Sequence, residues 1–149
     1  MIQKLAFGMS TVFQLHSIEK ACFGKDAWSI NSIIGEFNNE YSHMFGEIVD
    51  GKVIGYVCVR IMYEEAQVCN IAVLPDYRRK GIATKLLETI AEFSHVQGCE
   101  RCELEVNVGN TPAVELYTKC GYEIAGTRVN FYRRSRYATR DAYTMLRHL

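Results

Sequence analysis

One stretch constrains the fold more than any other, residues 70–93. It begins as a strand, Ile71-Ala72-Val73, halts at Pro75, and enters a turn carrying Arg78, Arg79, Lys80 and Gly81. A helix follows, because Ile82, Leu86, Leu87, Ile90, Ala91 and Phe93 recur at helical spacing until Gly98 stops them. The first amides of such a helix have no partner within it and lie at the positive end of its dipole. A glycine at the entry allows close approach of a ligand, and the small Ala83 leaves the first turn uncrowded. The combination suits a pyrophosphate. On residue types alone it equally suits a plain strand-to-helix connection with solvated arginines, since one basic glycine turn is a weak signal. Two nucleotide-binding spellings are excluded: Gly-x4-Gly-Lys-Ser/Thr is absent, and a dinucleotide fingerprint needs more than this turn's single glycine.

The rest of the chain arranges itself around that unit. Residues 2–7 predict a short strand. Ser10 or Thr11 is placed to cap a helix bearing Val12, Leu15, Ile18 and Cys22 on one side, and Ser29 to cap a second bearing Ile30, Ile33, Ile34 and Phe37. Residues 44–49 and 53–62 flank Asp50-Gly51 and read as a hairpin, with 66–74 as the next strand. Beyond the long helix, Cys102, Leu104 and Val106 alternate with Glu103, Glu105 and Asn107, the pattern of a strand. Thr111-Pro112 opens a short helix, with Pro at the favoured first position, and Gly121 closes it. Residues 122–131 and 140–147 supply two final strands. The order is β-α-α-β-β-β-α-β-α-β-β, which predicts a single α/β domain over residues 1–149. Its central sheet is mixed, hairpins first and right-handed crossovers after.

At 149 residues the chain has room for one good core. Its 17 basic and 17 acidic side chains exclude a general polyanion binder, so neither nucleic acid nor an acidic membrane is expected as a direct partner. The balance is uneven along the chain: residues 1–75 carry 5 basic and 8 acidic side chains, residues 76–149 carry 12 and 9. No apolar run approaches the ~20 residues that span a bilayer, and the N-terminal residues do not read as a signal peptide, so a cytoplasmic location is expected. The six cysteines read as reduced thiols, and Cys99-x-x-Cys102 as packing, because a zinc site needs a second pair. His16, His43, His95 and His148 form no spaced cluster, and no metal is expected.

Arg78-Arg79-Lys80-Gly81-Ile82-Ala83 fits the Arg/Gln-x-x-Gly-x-Gly/Ala signature of the GCN5-related N-acetyltransferase (GNAT) superfamily, and the element order resembles that of the superfamily over essentially the whole chain. The resemblance implies acetyl-CoA as co-substrate. It implies that the turn and helix start (Arg78, Arg79, Lys80, Gly81, Ile82, Ala83, Thr84) hold the pyrophosphate. Ile71, Ala72 and Val73 would run beside the pantetheine arm, in a V-shaped splay between two parallel central strands.

The stretch 104–122, with Glu105, Asn107, Asn110, Pro112, Tyr117 and Gly121-Tyr122, resembles the remaining acetyltransferase motif. Together with Asn70, Pro75-Asp76-Tyr77, Trp28-Ser29, Asn130-Phe131-Tyr132 and Asp141-Ala142, it is most similar to the ribosomal-protein-alanine N-acetyltransferases. That implies the N-terminal alanine of small-subunit ribosomal protein eighteen as acceptor; a small-molecule amine or another protein N-terminus is the alternative, and a non-catalytic acetyl-CoA-binding module a third. An α-ammonium must lose a proton before it attacks a thioester, and the departing thiolate needs one. Glu105 matches the family's base and Tyr117 its acid, while Asn110 matches a side chain that contacts the cofactor. Trp28 and Tyr132 would line the acceptor groove. Arg128, Arg133, Arg134, Arg136 and Arg140 fall in an acid-free stretch, residues 128–140, which reads either as a solvated loop or as a rim that meets an anion.

Overall fold

The computed structural model describes residues 1–149. A seven-stranded sheet forms its centre: β1 (Ile2–Lys4), β2 (Ser42–Val49), β3 (Lys52–Met62), β4 (Glu65–Val73), β5 (Arg101–Asn107), β6 (Glu123–Arg128) and β7 (Ala142–His148), in spatial order β1-β2-β3-β4-β5-β7-β6. Four helices cover it: α1 (Met9–Phe23), α2 (Ile30–Asn38), α3 (Ile82–Val96) and α4 (Thr111–Lys119). The expected element order is observed, with short 3-10 turns added at 24–26 and 75–77. Some boundaries differ. Gly8, not Ser10 or Thr11, precedes α1, with no side chain capping it, whereas Ser29 caps α2 by accepting from Ser32 N at 3.1 Å. The first strand is shorter than residues 2–7, Asn110 caps α4 so that Pro112 is its second residue, and the last two strands cover 123–128 and 142–148.

Alternation along the strands splits the core in two. On one face Val57, Val59, Leu86, Leu87, Ile90, Leu104, Val106 and Met145 pack beneath α3 and α4; on the other, Val12, Leu15, Ile18, Ile33, Met44, Tyr56, Cys58 and Ala72 pack beneath α1 and α2. The α1–α2 layer draws its strand residues from β2, β3 and β4, so that face of β5 and β7 has no helix over it.

The only parallel pair is β4 with β5, and it is short. Glu65 opposes Arg101, Ala66 opposes Cys102 and Gln67 opposes Glu103, after which the strands part. The cause lies on β4's other edge: Val68 opposes Val59 and Asn70 opposes Cys58, which leaves Cys69 as an extra residue in a β-bulge. A bulge bends its strand and increases its twist, here away from β5. The splay expected between two parallel central strands is therefore present, and it opens beside Glu105.

Candidate active site

On β5, Leu104 and Val106 point into the core under α3 and α4, so Glu105 points to the helix-free face. Its side chain is only 10% exposed. Gln67 Nε2, from the last paired position of β4, donates to Glu105 Oε2 at 3.4 Å, and Arg128 Nε lies 3.8 Å from Oε1. Two further carboxylates flank it: Glu65, which pairs with Arg101 at 2.7 Å, and Glu103. Burial, then the charges of Glu105 and Glu65, push the Glu103 carboxyl up.

Tyr117 belongs to the opposite layer. It sits on α4 with its ring edge-on to Tyr122 at 6.1 Å, and its phenol is held well above the usual tyrosine range by burial first and by Tyr132 next. Tyr132 feels Glu105 in turn, and burial followed by that carboxylate raises its phenol too. Both phenols therefore stay protonated near neutrality, so in proton transfer each can act only as an acid. Glu105 and Tyr117 lie on opposite faces of the sheet, with Tyr132 within electrostatic reach of each.

Beyond the bulge, Leu74 N donates to Ile54 O at 2.9 Å, so by alternation the polar backbone groups of Ile71 and Val73 face the gap. Two of them are occupied: Ile71 N donates to Asn70 Oδ1 at 3.1 Å, and Val73 O accepts from Arg78 Nε at 3.1 Å and from Cys22 Sγ at 3.3 Å. Ala72 points instead into the core under α1. The guanidinium of Arg78 is thus turned back against β4. Its partners Val73 and Cys22 hold the turn in place, a role that residue type did not suggest.

The turn itself adopts left-handed backbone at Arg79 (φ +62°) and Gly81 (φ +76°). Alternating left-handed residues gather successive amides into a concavity. Gly81 immediately precedes α3, and no side chain caps that helix, so the amides of Ile82, Ala83 and Thr84 are left for another acceptor. A Cβ built on Gly81 meets nothing within 4 Å, which shows the space in front of the helix to be open. Lys80 lies over the Tyr77 ring at 5.4 Å. The donor set is thus suited to a pyrophosphate, and the open gap beside β4 to an extended arm. Asn110 spends its Oδ1 on Ala113 N at 3.4 Å as the cap of α4, which leaves its amide nitrogen free.

The arginine-bearing residues 129–141 form a strap over the helix-free face. Asn107 Nδ2 donates to Ser135 Oγ at 2.9 Å and to Thr139 O at 3.0 Å, and its Oδ1 accepts from Gly109 N at 2.8 Å. At the strap's far side Arg134 pairs with Asp26 at 3.2 Å and Arg136 donates to Phe23 O at 3.2 Å. The strap therefore joins β5 to the α1–α2 connection, where Trp28 lies half-buried against the second core. A small depression at that junction is lined by Lys25, Asp26, Arg134, Ser135 and Arg136. Arg133, Arg134 and Arg136 are all exposed, as the solvated-loop reading has it, although Arg134 and Arg136 also contact the α1–α2 connection.

Sequence reasoning passed over Gln67, Arg128 as a partner of Glu105, and Glu19. The last left a trace: Glu19 lies one turn beyond Leu15 on the buried stripe of α1 and is 0% exposed. All six cysteines are free, though Cys22 and Cys69 are only half-buried. No group of His, Cys, Asp and Glu is placed to hold a metal ion, and no helix is long and apolar enough to cross a membrane.

The sequence pattern of the Acetyltransferase (GNAT) family matches residues 12–122. A protein of Bacillus subtilis, assigned provisionally as a ribosomal protein bS18-alanine N-acetyltransferase, is 32% identical over 125 residues, 83% of this chain and 82% of its own. An N-alpha-acetyltransferase of Saccharolobus solfataricus is 36% identical over 118 residues, 70% of this chain and 68% of its own. The crystal structure of the ribosomal-protein-S18-alanine N-acetyltransferase from Escherichia coli superposes with a TM-score of 0.87 at 26% identity, covering 99% of this chain and 94% of that one.

Proposed function

This chain belongs to the acetyltransferase (GNAT) family and is an acetyl-transferring enzyme; from that premise we propose that it acetylates a protein N-terminal α-amine, with the N-terminal alanine of ribosomal protein bS18 as acceptor. The observation that carries the reading is the parting of β4 and β5 immediately after Gln67, beside Glu105 and in reach of an uncapped helix. The turn residues 79–81 and the α3 amides would hold the pyrophosphate of acetyl-CoA, and the gap-facing backbone of Ile71 and Val73 its pantetheine arm. When bound, acetyl-CoA supplies an activated acetyl thioester.

Glu105 takes the proton from the incoming α-ammonium, leaving a neutral amine whose lone pair is free to attack. Its carboxylate is held on the gap by Gln67, with Glu103 beside it and Arg128 at 3.8 Å, while Glu65 is paired with Arg101. Tyr117, kept protonated by burial, donates its phenolic proton to the departing sulfur. Tyr132 and Trp28 flank the path of the amine, beneath the strap that closes from β5 to the α1–α2 connection.

A second reading keeps the chemistry and changes the acceptor to a less basic protein N-terminus or a small amine. The cationic lining of the strap junction (Lys25, Arg134 and Arg136) favours it. Initial rates with a bS18 N-terminal peptide, a matched peptide with acidic residues after alanine, and free polyamines decide between them. The proposal expects the bS18 peptide to have the highest kcat/KM; a higher value for either of the others assigns the acceptor there.

A further inference from the structure

The single carboxylate on α1 is also a fully buried one. Glu19 Oε1 accepts from the Tyr56 hydroxyl at 2.5 Å and from Asn70 Nδ2, whereas Oε2 is buried without any hydrogen bond. Asn70 Nδ2 also reaches Tyr56 Oη at 3.3 Å, so α1, β3 and β4 meet at this one group. A helical turn earlier His16 Nδ1 donates to Trp28 O at 3.1 Å, and the Trp28 amide faces the Glu19 carboxylate. His16 and Glu19 are three residues apart and share a face of α1. His16 holds the Trp28 carbonyl, and the Trp28 amide lies beside the Glu19 carboxylate. Asn70, for its part, follows the bulge residue Cys69, and its Oδ1 holds Ile71 N at the gap.

Leaving a carboxylate in this place is costly, since a leucine or glutamine of similar reach would fill it without a buried, half-satisfied acid. What the acid does there is visible in its contacts. We propose that Glu19 is a positioning residue for the transfer step, fastening the Trp28 segment on the acceptor side to Asn70 at the head of the donor strand. The inference rests on the acetyl-transfer reading for its kinetic part only; the fastening itself is a property of the free protein.

Burial pushes the Glu19 carboxyl up to about 7, offset in part by the Tyr56 hydroxyl and the Trp28 amide. The fastening is therefore pH-dependent, strongest where Glu19 is ionised and its acceptor oxygen draws most strongly on Tyr56 and Asn70. The other titratable groups on the packed elements are His16 and Cys22 on α1, Tyr56 and Cys58 on β3, and Cys69 on β4. Glu36 on α2 is already paired with Arg60.

Trp28 is the only tryptophan, so its fluorescence reports this segment directly. The full chain is titrated from pH 5.5 to 8.5 as wild type, Glu19→Gln, His16→Gln and Tyr56→Phe, without substrates, and circular dichroism confirms the fold. Wild type and His16→Gln should show an emission transition with a midpoint near 7, and Glu19→Gln none. Tyr56→Phe should move the midpoint upward, because it removes a donor to the ionised form. In turnover assays at pH 8, Glu19→Gln should raise the acceptor KM about ten-fold with kcat little changed. A transition that persists in Glu19→Gln, or vanishes in His16→Gln, overturns the proposal. If Glu19→Gln does not fold, an unshifted midpoint in Tyr56→Phe overturns it. Absence of turnover in the wild type as well as the variants, with the fluorescence pattern intact, would count against the acetyl-transfer reading instead.

Discussion

Asn107 is where the acceptor side can be loosened without touching the chemistry. It ends β5, is 7% exposed, and holds the strap through two donated hydrogen bonds to Ser135 and Thr139 and one accepted from Gly109. Each such bond is worth about 1 kcal/mol net, but Ser135 and Thr139 are half-exposed and water partly replaces Asn107 there. Asn107→Ala should therefore cost about 2 kcal/mol, lowering Tm by roughly 4–8 °C in a chain of this length. The functional effect should be asymmetric. A slack strap misplaces Tyr132 and widens the amine's path, so the acceptor KM should rise about ten-fold. The turn 78–81, proposed to hold the pyrophosphate, shares no hydrogen bond with Asn107, so the KM for acetyl-CoA should stay within about two-fold. Asn107→Asp, which keeps the acceptor oxygen for Gly109 and loses the donors, should fall between. The assay is two-substrate steady-state kinetics with urea unfolding on the same preparations. An unchanged acceptor KM in a destabilised protein, or equal increases in both KM values, refutes the reasoning that the strap forms the acceptor wall.

Other substitutions separate the remaining parts. Tyr117→Phe keeps the ring packed on Tyr122 and removes only the proton, so kcat should fall about 10²-fold with both KM values nearly constant; unaltered turnover removes Tyr117 from the mechanism. Gly81→Ala, at φ +76°, should cost about 1–2 kcal/mol in stability and raise the KM for acetyl-CoA but not for the peptide. Glu19 has a sign that can be checked by unfolding alone. Its folded-state value, about 7, lies above its unfolded one, so the native state binds the extra proton and stability is lost as pH rises from about 4.5 through 7. Glu19→Gln, which cannot ionise, should gain on wild type across that interval by on the order of 2–3 kcal/mol; a constant difference between the two proteins from pH 5 to 8 would show that Glu19 does not change its charge there.

The parts of this fold that could be read from sequence are those governed by local period and chain punctuation. The α3 stripe, the alternation along β5 and the Asp50-Gly51 hairpin each follow from side-chain spacing, and each is observed. The bulge at Cys69 was not read from spacing; it puts Val68 beneath α3 and α4 but Asn70 and Ala72 on the α1 side, a change of face set by the register with β3. Glu19 was hidden for a different reason. A glutamate in a helix is ordinarily solvated, and only the pairing of Tyr56 with Asn70 across β3 and β4 makes its buried place tolerable. The strap was the least legible segment, since its path is fixed by Asn107 and Asp26, far away in the chain, and not by any pattern among its own arginines. Arg78 shows the same limit within a motif: its residue type suits a phosphate turn, while its side chain is turned back onto β4.

The account rests on one arrangement, in which donor and α-amine meet across the gap between β4 and β5. A conjugate that joins coenzyme A through an acetyl bridge to the N-terminus of a bS18 peptide measures that arrangement directly, by isothermal titration calorimetry. If both paths converge as described, the conjugate should bind at least about 10²-fold more tightly than acetyl-CoA or peptide alone, and both Gly81→Ala and Asn107→Ala should weaken it. An affinity no better than that of acetyl-CoA, insensitive to Asn107→Ala, would contradict the account.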